Sequence, residues 1–237
     1  MNAVKQLLKQ RLPFVVSVAR HAEIYSFQFM SMEGIFKRIY RKQRWGTQET
    51  ASGTGSTLKQ TEVIRAELPR LVRELGVKSI LDIPCGDFNW MKEVNLEIES
   101  YIGADIVKEI IQNNRQRFAS TQREFVRLNI TRDGLPRVDL ILCRDCLVHF
   151  SYHDLCLALN MIRKSNSTYL LTTTFTDLQA NEDILTGNWR PLNLQKPPFN
   201  FSTPIRLIEE KFVEDERYSD KSLGLWRISD ILPADKK

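Results

Sequence analysis

From Val77 onward, short apolar runs alternate with helical ones, and this rhythm restricts the fold more than any other feature of the chain. Ser79–Ile83, Tyr101–Ala104, Glu124–Leu128, Val138–Cys143 and Tyr169–Thr174 read as buried strands bounded by turn residues. Helical spacing covers Val107–Phe118, and Ser151 with Asp154 forms a cap that opens a helix to about Lys164. After a Pro/Asn-rich loop over 175–204, Ile205–Phe212 and Leu223–Ser229 read as an antiparallel pair. Such an order predicts an α/β architecture, a doubly wound, mostly parallel seven-stranded sheet with an antiparallel edge strand. Sheets of this kind bind ligands at the carboxyl ends of their strands, beside the point where strand order reverses.

Upstream the pattern is helical. Val4, Leu7, Leu8, Leu12, Val15, Val16 and Ala19 share a helical face that Pro13 should kink. The apolar part of that run is too short for a signal peptide, so it is read as helix. A second helix is expected over Ser31–Arg44, then a Gly/Ser/Thr loop from Trp45 to Ser56. Thr57 with Gln60 fits a capping box for a helix ending near Glu74, with Gly76 as its stop. The expected organisation is a basic N-terminal helical extension, 1–44, followed by one domain, 45–237.

Charge follows the same division. Residues 1–50 carry nine Lys/Arg against three acids, while the rest of the chain holds 25 basic and 26 acidic side chains. A basic N-terminal face suits an anionic membrane surface, a phosphate-bearing substrate or nucleic acid, or is simply solvated. With 42% apolar residues the chain can build a sizeable core, and no apolar run is long enough to span a bilayer. Four cysteines cannot form a dense disulfide framework, so the expected location is cytoplasmic, with peripheral membrane contact through the basic helices.

The segment Ile80-Leu-Asp-Ile-Pro-Cys-Gly-Asp-Phe-Asn-Trp90 concentrates the chemistry. An apolar strand ends in Asp82 and turns through Pro84 and Gly86. Asp105 closes the second strand, where an acid can accept hydrogen bonds from both ribose hydroxyls. A dinucleotide site needs G-x-G-x-x-G to bring pyrophosphate onto a helix N-terminus, and this turn offers only Gly86. Its carboxylates, Asp82 and Asp87, repel pyrophosphate and suit a ligand bearing an ammonium and a sulfonium.

At these residues the chain resembles the class I S-adenosylmethionine-dependent methyltransferases. It keeps the family's first acid as Asp82 and the central glycine as Gly86, while Pro84 and Phe88 replace the outer glycines. Asp105 matches the ribose-binding acid. Arg127-Leu-Asn-Ile-Thr131 occupies the adenine-pocket position, with Asn129 where an acid is usual. Val138–Phe150 looks like the fourth motif, beneath the methionine part of the cofactor. The resemblance implies S-adenosyl-L-methionine as cofactor, held by Asp82, Pro84, Gly86, Asp87, Asn89, Trp90, Asp105, Ile106, Asn129, Ile130 and Arg144. More narrowly, the Trp45–Thr57 loop, the Asp82–Trp90 turn and Asn188-Trp-Arg-Pro-Leu-Asn193 look like a branch associated with surface-glycan biosynthesis.

Methyl transfer is an in-line displacement, so alignment is the main task, and a hydroxyl acceptor also needs a base. His149, just past the fourth strand, is the candidate base, with Asp145 as its orienter or a cofactor ligand. Trp45, Ser56, Thr57, Trp189 and Arg190 are candidates for binding the acceptor. Cys143, Cys146 and His149 lack a fourth ligand with zinc-site spacing, so no metal is expected. The expected reaction is methyl transfer to a small-molecule or glycan acceptor, at a hydroxyl oxygen. Its rivals are a nucleic-acid or nucleotide methyltransferase and a non-catalytic S-adenosylmethionine-binding docking protein. Nucleic acid is disfavoured because Arg144-Asp-Cys-Leu stands where many base methyltransferases carry Asn/Asp-Pro-Pro-aromatic.

Overall fold

Seven strands hydrogen-bond into one sheet in the order β3-β2-β1-β4-β5-β7-β6. They are β1 (Ser79–Asp82), β2 (Ser100–Asp105), β3 (Arg123–Arg127), β4 (Leu140–Cys143), β5 (Tyr169–Phe175), β6 (Arg206–Glu209) and β7 (Lys221–Arg227). The computed structural model describes residues 24–211 and 216–231, so the helix expected over residues 3–19 and His21 lie outside the described residues. Helices α1 (Met32–Arg41), α2 (Glu62–Leu75), α3 (Lys108–Phe118), α4 (Tyr152–Lys164) and the short α5 (Ile228–Ile231) surround the sheet.

The sheet is covered on both faces, which explains why its central strands β1, β4 and β5 are buried almost throughout. All four residues of β4 are buried. Leu81, Ile141 and Leu170 pack with Leu155 and Ala158 of α4 on one side. Ile80, Leu140 and Leu142 pack with Ile64 and Leu68 of α2 on the other. Strands β1 to β5 pair in parallel, and only β7 reverses, antiparallel to both β5 and β6. The expected antiparallel pair therefore closes one side of the sheet, with the reversed strand one place in from the edge. Strand order reverses between β1 and β4, and the carboxyl ends of β1, β2 and β4 diverge there to leave a crevice.

Local signals set two of the helix starts and one helix end. The Ser31 and Ser151 hydroxyls accept from Gly34 N and Asp154 N, as N-caps should. Gly76 ends α2 in the left-handed conformation. Thr57 Oγ1 does accept from Gln60 N at 3.3 Å, but α2 begins only at Glu62, after an intervening turn. The Thr57 pairing shapes the approach to the helix rather than capping it. Strand β7 starts at Lys221, two residues before the expected Leu223, which brings a lysine into the sheet.

Helix α1 lies against the domain. Phe36 meets Phe150 with ring centroids 5.9 Å apart, Arg41 pairs with Glu109 at 2.7 Å, and Glu33 pairs with Arg127. Residues 32–41 of the expected N-terminal extension thus pack on the domain.

Candidate active site

A cavity of about 720 Å³ opens at the carboxyl ends of β1, β2 and β4, roofed by α1 and the 45–56 loop. Asp82 and Asp105 line it, each on the last residue of its strand and almost fully buried. The Tyr101 hydroxyl, from the neighbouring strand, donates to Asp82. Burial nevertheless pushes the Asp82 carboxyl up to about 7, against the pull of Tyr101 and the Arg144 charge. Asp105 accepts from Val107 N at 2.8 Å, and burial lifts it to about 6. Two carboxylates held out of water beside a cavity are poorly solvated acceptors, which a ligand carrying hydroxyls and a cationic group can satisfy.

The turn after β1 is built for its neighbour loop. Gly86 has φ 53°, and a Cβ there would stand 2.3 Å from Ser52 Oγ. Asp87 accepts from Thr50 Oγ1, Ala51 N and Ser52 Oγ, at 2.7–3.0 Å, and its own N–H donates to Ser52 Oγ. Both oxygens of Asp87 are thereby committed to the 50–52 segment. Asp87 lines the cavity, as expected, and anchors this loop at the same time. Asn89 is corrected: its amide donates to Glu49 and to Ser56 O, and it does not line the cavity. Pro84, Trp90, Ile106 and Ile130 do line it. So does Asn129, whose Oδ1 accepts from Thr131 N and Oγ1 in a local turn.

At the floor, four charges interlock. Arg144 donates from Nε and Nη2 to Glu210, donates to Gly55 O at 2.8 Å, and lies 3.2 Å from Asp145. Lys221 Nζ lies 2.7 Å from Asp145 Oδ2 and 3.5 Å from Glu210. Burial works against the Asp145 charge, but Lys221 and Arg144 more than offset it and hold this carboxyl well below the usual range. Gly55 permits the approach, since a Cβ there would fall 2.9 Å from Asp145 Oδ2. Arg144 is therefore an organising hub whose guanidinium is already engaged, although it borders the cavity.

His149 also faces the cavity, stacked on Trp45 with centroids 4.3 Å apart. Its Nδ1 lies 2.7 Å from the Asn188 carbonyl, which fixes Nδ1 as the protonated nitrogen and leaves Nε2 as the acceptor. The orienter is thus a backbone carbonyl and not Asp145, which pairs with Lys221 and Arg144 while still lining the cavity. Burial lowers His149 to about 4, so the ring is neutral across the physiological range.

No family model matches the chain, and no curated protein sequence does. Among solved structures, a protein of Pyrococcus horikoshii OT3 superposes with a TM-score of 0.53 at 14% identity, over 79% of this chain and 98% of that one. The methyltransferase domain of bacterial CtHen1 superposes with a TM-score of 0.52 at 13% identity, over 72% of this chain and 98% of its own. The fold is that of the class I methyltransferases.

Within this methyltransferase fold the structure gathers Asp82, Pro84, Gly86, Asp87, Trp90, Asp105, Ile106, Asn129, Ile130, Arg144, Asp145 and His149 around one cavity, with Trp45, Ser56 and Trp189 also in its wall. Thr57 and Arg190 are not in its wall. Arg190 is buried and donates to Glu182 O, Leu147 O and Phe150 O, so it ties the 182–190 loop to the β4–α4 connection instead of binding an acceptor. Sequence reasoning missed Lys221, Tyr218 and Phe36, which line the cavity from elements distant in the chain. Only the unusual lysine leading an apolar strand signalled one of them. Among the described residues no cluster of His, Cys, Asp or Glu could hold a metal, and no helix is long and apolar enough to cross a membrane.

Proposed function

We propose that the protein transfers a methyl group from S-adenosylmethionine to a small-molecule or glycan acceptor, at a hydroxyl oxygen. The observation that carries this reading is the pair of buried carboxylates, Asp82 and Asp105, opening into the same cavity as a neutral histidine. The residues fit the cofactor. Asp105 would hold the ribose diol and Asp82 the ammonium end, while Ile106 and Ile130 supply apolar walls for the base. A pyrophosphate would meet two acidic residues, Asp82 and Asp87, and a single glycine in the turn, which disfavours a dinucleotide.

S-adenosylmethionine supplies an electrophilic methyl on a sulfonium. The chain supplies alignment, exclusion of water and a proton acceptor. Trp45 and Phe36 roof the cavity, and Trp45 pins the His149 ring by stacking. His149 Nε2 takes the acceptor's hydroxyl proton as the oxygen attacks, and the Asn188 carbonyl holds the ring in the tautomer that can do so. The nearby Asp145 charge favours the imidazolium that results. The nucleic-acid reading rests on the basic N-terminal segment, part of which is spent within the molecule, as Arg41 on Glu109. A purely docking protein would not need the cavity to continue beyond the carboxylates to His149 and Trp189, as it does.

The decisive experiment is titration calorimetry with S-adenosylhomocysteine, NAD and NADP. The first should bind and the other two should not, and Asp105→Ala should cost about 1–3 kcal/mol of that affinity through lost charge-assisted hydrogen bonds. Tight binding of a dinucleotide would overturn the reading. Incubation with labelled donor and a panel of nucleotide sugars, lipid-linked saccharides and small alcohols then identifies the acceptor.

A further inference from the structure

Three aromatic rings on the outer side of the cavity play no part in the transfer step. Phe175 ends β5, Trp189 lies in the following loop, and Tyr218 precedes β7. Their planes stand nearly at right angles: 82° between Phe175 and Trp189, 81° between Phe175 and Tyr218, and 76° between Trp189 and Tyr218. Centroid separations are 4.8–6.1 Å, so the rings form a closed corner. All three line the cavity, Phe175 buried and Trp189 38% exposed at its outer end.

A corner of this shape accepts a methylated ammonium, a flat arene or a sugar ring. Charge argues against the ammonium. Lys221 stands in register opposite Phe175, and the Arg217 guanidinium already lies 5.5 Å over the Tyr218 ring. An added cation would meet the Arg217 guanidinium on the Tyr218 ring, while the neighbouring Asp145 carboxylate is already neutralised by Lys221 and Arg144. Polarity argues against the arene. The corner borders His149 and the Asp145–Lys221 pair, and an arene, even a phenol with its single hydroxyl, offers this polar rim far fewer hydrogen bonds than a sugar does. A sugar ring has both parts: C–H patches, slightly positive, that lie on the negative faces of aromatic rings, and hydroxyls at its rim. Resting on the methyl-transfer reading, we propose that Phe175, Trp189 and Tyr218 form the acceptor subsite and that the acceptor they hold is a sugar ring. A hydroxyl of that ring is then directed from the aromatic corner toward His149.

The test uses the full chain saturated with S-adenosylhomocysteine and saturation-transfer NMR. The probes are the methyl glycosides of glucose, galactose, mannose and N-acetylglucosamine, with p-cresol and tetramethylammonium as the competing chemistries. At least one glycoside should bind, with transfer strongest to the C–H protons of one ring face. Trp189→Ala should weaken it about tenfold, and Trp189→Phe should restore most of the loss because it keeps a stacking face. Cofactor affinity, measured separately by calorimetry, should stay unchanged in both variants. Binding of p-cresol or tetramethylammonium alone, or no glycoside binding at all, overturns the subsite. Glycoside affinity that is indifferent to Trp189 and to Tyr218→Ala overturns it too. If S-adenosylhomocysteine fails to bind the wild type, the transfer reading falls, and the glycosides titrated alone still decide the subsite.

Discussion

The Tyr101 hydroxyl donates to the Asp82 carboxylate across neighbouring parallel strands, both groups buried at the inner end of the cavity. This bond and the Arg144 charge oppose a burial cost that would otherwise protonate Asp82 more completely. With Asp82 near 7 and Asp105 near 6, the unliganded protein holds protons that ionic contacts to the cofactor must displace. Affinity for S-adenosylhomocysteine should therefore fall as pH drops from 8 to 5.5, with proton release on binding detectable in buffers of different ionisation heat. Tyr101→Phe should move that limb upward and weaken binding at pH 7 by about tenfold. A pH-independent affinity would refute the assignment of Asp82 and Asp105 to the cofactor.

His149 has an ordinary pKa near 6.5, which alone would place an acidic limb there. Burial moves it to about 4, so turnover at saturating cofactor should stay flat through pH 6.5 and fall only as the imidazolium forms near 4. His149→Ala should lower turnover by roughly 10²–10⁴ while leaving cofactor affinity nearly intact. His149→Asn separates hydrogen bonding from proton acceptance. Wild-type turnover in either variant would remove His149 as the base.

Arg190 predicts a stability effect in place of a binding effect. Its guanidinium serves three carbonyls, and Arg190→Ala strands them at a cost of about 1–3 kcal/mol. Arg190→Lys should rescue little, because an ammonium cannot reproduce the planar fork. The measurement is the urea midpoint alongside cofactor affinity. A variant of full stability with impaired acceptor binding would restore the acceptor role.

Deletions should separate the N-terminal basic segment from the helix that follows it. Removing residues 1–20 should leave cofactor affinity unchanged, and any attraction to anionic liposomes should fall with it and with salt. Extending the deletion through residue 44 removes Phe36 from the cavity wall and Arg41 from its pair with Glu109, so cofactor affinity should drop. Equal affinity in both truncations would show that α1 contributes nothing to the site.

Much of the architecture was legible because it is written in local periodicity. Strands β1, β4 and β5 carry apolar runs, Ser31, Ser151 and Gly76 mark helix ends, and the strand–helix rhythm leaves few topologies. Asp82 and Asp105 could be read as site residues because an acid closing a buried strand needs a partner, and both face the cavity. Side-chain direction in loops was not legible, since it depends on which distant segment arrives. Asp87 and Asn89 sit in the right turn yet are taken up by Thr50, Ala51, Ser52, Glu49 and Ser56. Asp145 stands beside His149 in sequence but is captured by Lys221, 76 residues later. The sequence by itself thus determined the layered sheet and the strand ends where chemistry could occur. Only tertiary packing decided which polar groups remain open to a ligand, because a buried hydrogen-bonding group takes the nearest partner in space, whatever its distance along the chain.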